Sequence, residues 1–249
     1  MSALRWFEQC GEVLARIRAT QLEAIERAAA LIAEAAEGGG GLHLFDTAHC
    51  SREPIHRAGG LYMLAPLTVG LNLESRPARR RAEQVASRRR EGRAKADERL
   101  AQLAVERSGL AEGDVLICNS VSGRSALAVE LARAASQMGV RVVAITSLNY
   151  SKGVSSQHST GKRLYEVADV VIDNCGIVGD AVLDMEGVDT RVAPTSGVAF
   201  CFIIWALISE AVARMTARGL KPHVYRSINL PGGAEFNARG EAEYRETGV

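Results

Sequence analysis

The chain has 249 residues, a mass of 26.6 kDa and a formal net charge of +1, with 47% hydrophobic and 24% charged residues. This composition is typical of a soluble globular protein, and the length allows one domain that buries roughly 70–75% of the surface of its unfolded chain. The near-zero net charge excludes a global electrostatic attraction to nucleic acid or to anionic lipid.

The cysteines and the apolar stretches point to neither secretion nor a membrane. Five cysteines are scattered without paired spacing, which argues against a disulfide framework and favours a reducing cytoplasm. Residues 1–12 carry charges and are followed by no apolar stretch, so we expect no signal peptide. The most apolar run, residues 198–208, is shorter than the about 20 residues of a membrane span and predicts a buried helix.

Strand patterns alternate with helix patterns along the chain. A long N-terminal helix is predicted over residues 3–36, because apolar side chains recur on one face until glycines 38–41 stop the pattern. The first buried strand follows at residues 42–45. Later strands are predicted at 115–119, 141–146 and 169–173, and helices at 124–138, 161–168 and 195–218. This order predicts an α/β fold with one doubly wound parallel sheet flanked by helices, in a single domain over residues 1–249.

An arginine-rich helical segment is predicted over residues 76–106. Residues 76–99 hold ten Arg or Lys against four acids, a local excess of six positive charges. Nucleic-acid binding is one interpretation. We favour the other, an exposed or partner-covered helix with one or two arginines reaching an anionic ligand, because the segment has no aromatic side chain on which a base would stack.

The most informative stretch is Ser120-Val121-Ser122-Gly123-Arg124-Ser125, between the strand at 115–119 and the next helix. Backbone N–H groups at a helix N-terminus and the helix dipole favour an anion there, and serine hydroxyls add donors. The stretch lacks the GxxxxGK[ST] pattern of a nucleotide-binding loop, so a phosphate monoester suits it better. A plain serine N-cap is the alternative, but the density of serines favours a ligand.

This S-x-S-G-x-S stretch resembles the phosphate loop of sugar isomerase (SIS) domains, which bind phosphosugars on a doubly wound α/β sheet. The resemblance continues along nearly the whole chain to the UPF0309 branch of that family. The matching segments are residues 57–60, 144–148, 161–169, 171–174, 179–180, 194–196 and 231–233.

The resemblance implies a phosphorylated sugar or amino sugar as ligand, and a homodimer or dimer of dimers with its site at a subunit interface. It further implies an aldose–ketose isomerase, and the alternatives are a non-catalytic phosphosugar sensor or a lyase or etherase with the same loop. We favour the isomerase, and we expect no cofactor, no membrane partner and no nucleic acid.

Aldose–ketose isomerisation through an enediol requires a proton-shuttling base and a group that opens the sugar ring. SIS isomerases share these roles between a glutamate and a histidine, which implies Glu53 with His49 or His158 here. The branch has a Gly-x-Gly-His-Ser turn where this chain has Asp46-Thr47-Ala48-His49-Cys50, and the shorter segment leaves the alignment of Glu53 open. The alternative for Glu53 is a structural role, as an acidic residue in the first turn of a helix that interacts favourably with the helix dipole. His56 is predicted to be a packing or surface residue.

Other predicted roles stay divided between ligand binding and local structure. His49, Cys50 and His56 lack the spacing of a metal site, so we predict no metal. Hydroxyl side chains at strand ends and helix starts are expected to contact the sugar or to cap turns. The tail, residues 221–249, is expected to fold over the site or onto a partner subunit. The predicted phosphate- and sugar-binding set is Ser120, Ser122, Gly123, Arg124, Ser125, Thr146, Ser147, Thr195 and Ser196.

Overall fold

A computed structural model describes residues 1–47, 52–72 and 77–248. Its centre is a five-stranded sheet in the order β2-β1-β3-β4-β5, in which every neighbouring pair of strands is parallel. The predicted doubly wound α/β fold is therefore confirmed. The strands are β1 (Leu42–Asp46), β2 (Leu64–Pro66), β3 (Val115–Asn119), β4 (Arg141–Thr146) and β5 (Val170–Asp173).

Three helices cover one face of the sheet: α1 (Ser2–Thr20), α2 (Leu22–Glu37) and α7 (Ser196–Ala217). Alternate strand side chains, such as Leu44 and Ile117, pack against them. The single helix predicted over 3–36 is two helices, broken at Gln21. The Gln21 Oε1 atom accepts a hydrogen bond from the Asp173 N–H at the end of β5, over 2.9 Å, so a long-range contact holds the break.

The opposite face is covered by α4 (Arg93–Arg107) and α5 (Ala126–Gln137). Leu116 and Cys118 of β3 point into this second core. The arginine-rich segment contains a 3₁₀ turn (Arg79–Arg81) and α3 (Ala82–Glu91), which has no buried residue.

The remaining elements are short or peripheral. They are α6 (Leu148–Lys152), a 3₁₀ turn (Leu164–Glu166) where a helix over 161–168 is predicted, an antiparallel hairpin of β6 (Ala181–Leu183) and β7 (Val192–Pro194), and α8 (Gly233–Thr247).

Helix α7 is the one described helix that is long and apolar enough to cross a membrane by length and composition. Its side chains Phe200, Ile203 and Leu207 are fully buried, and they belong to the same core as α2 and the sheet. The helix is therefore accounted for as a core element of this fold.

The tail packs onto its own chain beside β2. Leu61 and Val224 form an antiparallel bridge, and the rings of Tyr62 and Tyr225 lie 3.9 Å apart between centroids. The Tyr62 hydroxyl donates to Asn237 of α8 over 3.2 Å. These contacts fix the position of α8 against the segment that leads into β2.

Candidate functional site

The candidate site lies where the strand order reverses. The chain moves from β1 outward to β2, then returns to the other side of β1 with β3, and such a switch point opens a crevice at the carboxyl ends of the two strands. The serine loop, residues 120–125, leaves β3 at this point. The main chain of Val121 anchors it, since its carbonyl accepts hydrogen bonds from the Ser147 N–H (2.9 Å) and the Thr146 hydroxyl (3.0 Å).

Gly123 lets the serine loop turn close to its neighbours. Its φ is +58°, and a Cβ at this position would lie 2.9 Å from Ser151 Oγ and 3.0 Å from Thr146 Oγ1. Any other residue at this position would therefore have a strained backbone, and its Cβ would lie too close to Ser151 and Thr146.

A segment that we call the strap, residues 156–164, forms main-chain hydrogen bonds to the serine loop. The Leu164 N–H donates to the Gly123 carbonyl over 2.8 Å, and the Gln157 N–H donates to the Arg124 carbonyl over 2.9 Å. The loop is thus held on both sides by main-chain bonds, which leaves its serine side chains unconstrained by these contacts.

Helices α5, α6 and α7 each begin at this edge shortly after a strand, and they differ in how their first turn is capped. In α6, the Ser147 hydroxyl accepts the Tyr150 N–H and a carboxylate oxygen of Asp173 accepts the Leu148 N–H. By contrast, Ser125 at the N-cap of α5 makes no side-chain hydrogen bond to its helix.

Helix α7 starts at the same edge, because Arg218 just beyond its last turn pairs with Glu37 at the end of α2. The Asp180 carboxylate accepts the N–H groups of Thr195 and Ser196 at its start. Among α5, α6 and α7, it is α5 whose N-terminus has no side-chain cap, and such an N-terminus can stabilise an anion.

Buried polar atoms without hydrogen-bond partners concentrate at the same edge. Within residues 1–47, 52–72 and 77–248, six buried side-chain polar atoms have no partner, and only Trp6 Nε1 lies elsewhere. A buried polar atom left unpaired costs about 1–3 kcal/mol, so the five atoms along this edge call for a polar partner, either a ligand or ordered water. The five are Asn119 Oδ1, Arg124 Nε, Ser151 Oγ, Asn174 Nδ2 and Thr195 Oγ1.

A cavity of about 390 Å³ lies beside the loop, at the carboxyl ends of β1 and β2. We call it the strand-end cavity, and its polar lining includes Asp46, Arg52, His56 and Thr68. Asn119, the residue before the serine loop, donates a hydrogen bond from Nδ2 to Asp46 Oδ1 over 2.8 Å. The cavity and the loop are therefore neighbouring parts of one crevice.

Comparison with known proteins agrees with this geometry. The SIS-domain family model matches residues 5–147, more than half of the chain. The chain belongs to the SIS-domain family. It is 35% identical over 240 residues to a UPF0309 protein of Streptomyces coelicolor, a match that covers 94% of this chain and 92% of that one. A UPF0309 protein of Shouchella clausii is 33% identical over 239 residues, with the same coverage.

Among solved structures, this SIS-domain chain is similar to phosphoheptose isomerase GmhA from Neisseria gonorrhoeae. The TM-score is 0.55 at 15% sequence identity, and the match covers 86% of this chain and 97% of the other. At this identity the likeness shows a shared fold. The resemblance predicted from the sequence, to SIS domains of the UPF0309 branch, is confirmed.

Of the predicted catalytic residues of this SIS-domain chain, the two that the structure describes, Glu53 and His158, do not line the strand-end cavity. Glu53 pairs with Arg57 over 2.8 Å and lines a groove between α1 and α7 instead of the strand-end cavity. His49 lies outside the described residues, as does Cys50. Asp46 and His56 line the cavity in their place. The sequence analysis assigned His56 to packing or the surface and gave Asp46 no role, although the end of β1 is a usual position for a functional residue of an α/β sheet.

His158 is buried behind the serine loop, with 2% of its side chain exposed. Its Nε2 lies 2.7 Å from Glu130 Oε2, and its Nδ1 accepts the Thr160 N–H at 3.2 Å. Bonds from Arg133, together with those from Gln102 and His158, lower the pKa of Glu130 to about 2 in spite of burial. With both nitrogens engaged, His158 contacts α5 and the strap, and the geometry gives no support to its predicted ring-opening role.

The predicted sugar-binding hydroxyls fall into two groups. Thr146, Ser147 and Ser196 are engaged inside the protein, since their hydroxyls donate to the Val121 carbonyl, the Gly176 carbonyl and the Asp180 carboxylate. Thr195 is buried with an unpaired hydroxyl. The structure thus leaves the Thr195 hydroxyl unpaired at this edge, whereas the other three hydroxyls are bonded within the protein.

Proposed function

We propose that this protein binds a phosphorylated sugar in the crevice, with the phosphate on the serine loop, and converts it between aldose and ketose forms. The observation that carries the proposal is the uncapped N-terminus of α5 directly after three serines at the switch point of the sheet. A phosphate there would accept hydrogen bonds from first-turn N–H groups and from the hydroxyls of Ser120, Ser122 and Ser125. The fold shared with a phosphoheptose isomerase supports the same reading.

The strand-end cavity would hold the sugar and supply the acid–base groups. In an enediol mechanism, a carboxylate removes the proton from C2 of the aldose and returns it to C1, while the hydroxyl proton moves to the other oxygen. Asp46 is the described carboxylate that lines this cavity, and His56 lies in the same wall. We assign the proton shuttle to Asp46, with Glu53 as the competing assignment, and ring opening to His56.

The first experiment is ligand-induced thermal stabilisation with a panel of sugar phosphates. A ligand at 100 times its Kd adds about 2.7 kcal/mol, which raises the Tm of a chain of this size by roughly 5–10 °C. The variant Ser122→Ala with Ser125→Ala should lose this shift. Ser136→Ala, an exposed serine near the far end of α5, is the matched control and should keep it. No shift for any sugar phosphate in the wild type would refute phosphosugar binding.

Measuring turnover distinguishes an isomerase from a non-catalytic sensor. Asp46→Asn should abolish isomerisation of a sugar phosphate that still binds, whereas Glu53→Gln should retain it. The opposite result would move the proton shuttle to Glu53. A non-catalytic sensor is the second candidate, favoured by the ion pair that holds Glu53 and the buried bond between His158 and Glu130. Tight binding without any turnover by the wild type would establish it.

We further propose a homodimer formed through the groove between α1 and α7. Val198 and Phe202 of α7 are 37% and 40% exposed, and Trp205 and Leu14 continue the apolar lining. Because Glu53 borders this groove, pairing of two copies would bring it into the interface. Phe202→Glu should convert a dimer into a monomer in sedimentation experiments, and a monomeric wild type would refute the proposal.

A further inference from the structure

A second cavity adjoins the N-terminus of α5 on the side of the arginine-rich segment. It has a volume of about 280 Å³, just below the usual range for complete small-molecule pockets and suited to one part of a ligand. Its lining includes Ala126, the residue that directly follows the serine loop. We call it the arginine cavity, and its lining is Arg90, Arg93, Ala94, Asp97, Ala126 and Gln157.

The fold explains why two arginines lie here. Helix α4 leads into β3 and α5 leads out of it, and the two helices pack side by side on the same face of the sheet. Both therefore begin at the carboxyl edge, so two positive helix ends meet at this cavity. Gly92 separates α3 from α4 without offering a side-chain cap, and it places Arg90 and Arg93 on either side of the break.

Arg90 and Arg93 form only weak ion pairs with nearby carboxylates, so these pairs compete poorly with an anionic ligand. Arg90 pairs with Glu83 over 2.8 Å, but the two side chains are 65% and 86% exposed. Arg93 lies 3.7 Å from Asp97 and is 81% exposed. Exposed ion pairs of this kind contribute little, so a ligand that withdraws an anionic group from water can displace them. One positive charge remains in the wall after Asp97 is counted, in addition to the two helix ends.

The serine loop itself carries a further cationic side chain, that of Arg124. Arg124 Nε is buried without a partner, while the Arg124 carbonyl accepts the N–H of Gln157, which lines the arginine cavity. Gln157 thus connects the two places, because it is hydrogen-bonded to the serine loop and also lines the arginine cavity.

We propose that the arginine cavity is a second anion subsite and that the ligand is a doubly anionic sugar. One phosphate lies on the serine loop, and a second oxyanion, either phosphate or carboxylate, lies between Arg90 and Arg93. The inference rests on the proposed phosphosugar site and narrows its ligand to sugar bisphosphates and phosphorylated sugar acids. It also gives the arginine-rich segment a role, since its positive charge selects the ligand.

The test compares three probes by calorimetry: glucose 6-phosphate, fructose 1,6-bisphosphate and 6-phosphogluconate. The wild type should bind at least one doubly anionic probe about tenfold or more tightly than the monophosphate, because bonds between charged groups are stronger than neutral ones. The doubly anionic probe that binds more tightly than the monophosphate shows whether the second group is a phosphate or a carboxylate. This preference should weaken as salt is raised.

Charge-matched variants decide where the preference arises. Arg90→Gln with Arg93→Gln should reduce the ratio of affinities to about one while leaving the monophosphate affinity unchanged. Arg88→Gln with Arg89→Gln removes the same charge from outside the cavity and should preserve the ratio. Equal melting temperatures of the unliganded variants will show that these exposed side chains do not affect folding.

The outcomes separate this inference from the proposed function. If the monophosphate binds and no doubly anionic probe binds more tightly, or if the preference survives in the Arg90 and Arg93 variant, the second subsite is refuted and the phosphosugar site stands. If none of the three probes nor any other sugar phosphate binds the wild type, the proposed function fails and the inference fails with it.

Discussion

Replacing Gly123 by alanine tests the serine loop at its tightest point. The added Cβ would occupy a left-handed backbone position, at a cost of roughly 1–2 kcal/mol, and would press on Ser151 Oγ at 2.9 Å and Thr146 Oγ1 at 3.0 Å. Moving the Thr146 hydroxyl sacrifices its bond to the Val121 carbonyl, a further loss of about 1 kcal/mol. We therefore expect the free energy of unfolding to fall by about 3 kcal/mol.

Gly187→Ala is the matched control. Gly187 also has a positive φ, +75°, but a Cβ there would meet nothing within 4 Å. The free energy of unfolding of this variant should fall only by the cost of the left-handed backbone position, roughly 1–2 kcal/mol. The effect of alanine on the unfolded chain is the same in both variants. Urea denaturation measures both losses, and thermal shift with a sugar phosphate measures whether the loop still binds.

Two results would contradict this reasoning. Equal destabilisation by the two substitutions would mean that the close contacts around Gly123 contribute nothing. Full ligand-induced stabilisation of Gly123→Ala would mean that the loop conformation is irrelevant to binding, and the ligand site would have to lie elsewhere.

Three further predictions concern groups around the site. Asp180→Ala should lower the free energy of unfolding by about 1–2 kcal/mol, because the carboxylate caps α7 through Thr195 and Ser196, and Asp180→Asn should restore part of it; urea unfolding measures both. The pKa of Glu130 is lowered from 4.5 to about 2, so its stabilisation is complete above pH 4.5 and is lost as the pH falls toward 2. Glu130→Gln should flatten the stability profile in that window, and an unchanged acid profile would contradict the assignment. His158→Ala should destabilise by about 3 kcal/mol, since it leaves Glu130 without one of its buried partners, and a variant of wild-type stability with lost turnover would return His158 to a catalytic role.

The central strands were predictable because they are buried on both faces. β3 and β4 lie at the predicted bounds, since a parallel strand between two helical layers appears as a continuous apolar run. β2 was missed because it has only three residues, ends in Pro66 and pairs on one side alone. A short edge strand of this kind has no periodicity of its own to detect.

The break at Gln21 and the position of His158 depend on partners distant in the sequence. Gln21 contacts Asp173, which is 152 positions away in the sequence, and His158 in the strap contacts Glu130 of α5. Helical periodicity through residues 3–36 is the same whether or not such a partner exists. Local pattern therefore indicates a helix and gives no sign of the contact that interrupts it.

The sequence by itself determined the family, the parallel sheet and the serine loop, because each follows from side chains that are adjacent along the chain. Only the tertiary structure decided that α6 and α7 are capped while α5 is not, since Asp173 and Asp180 reach α6 and α7 across the fold. It also decided that Asp46 and His56 share a cavity, and that Arg90 and Arg93 meet the start of α5. Hydrogen bonds and cavities join residues by proximity in space, and proximity is fixed only when the layers pack.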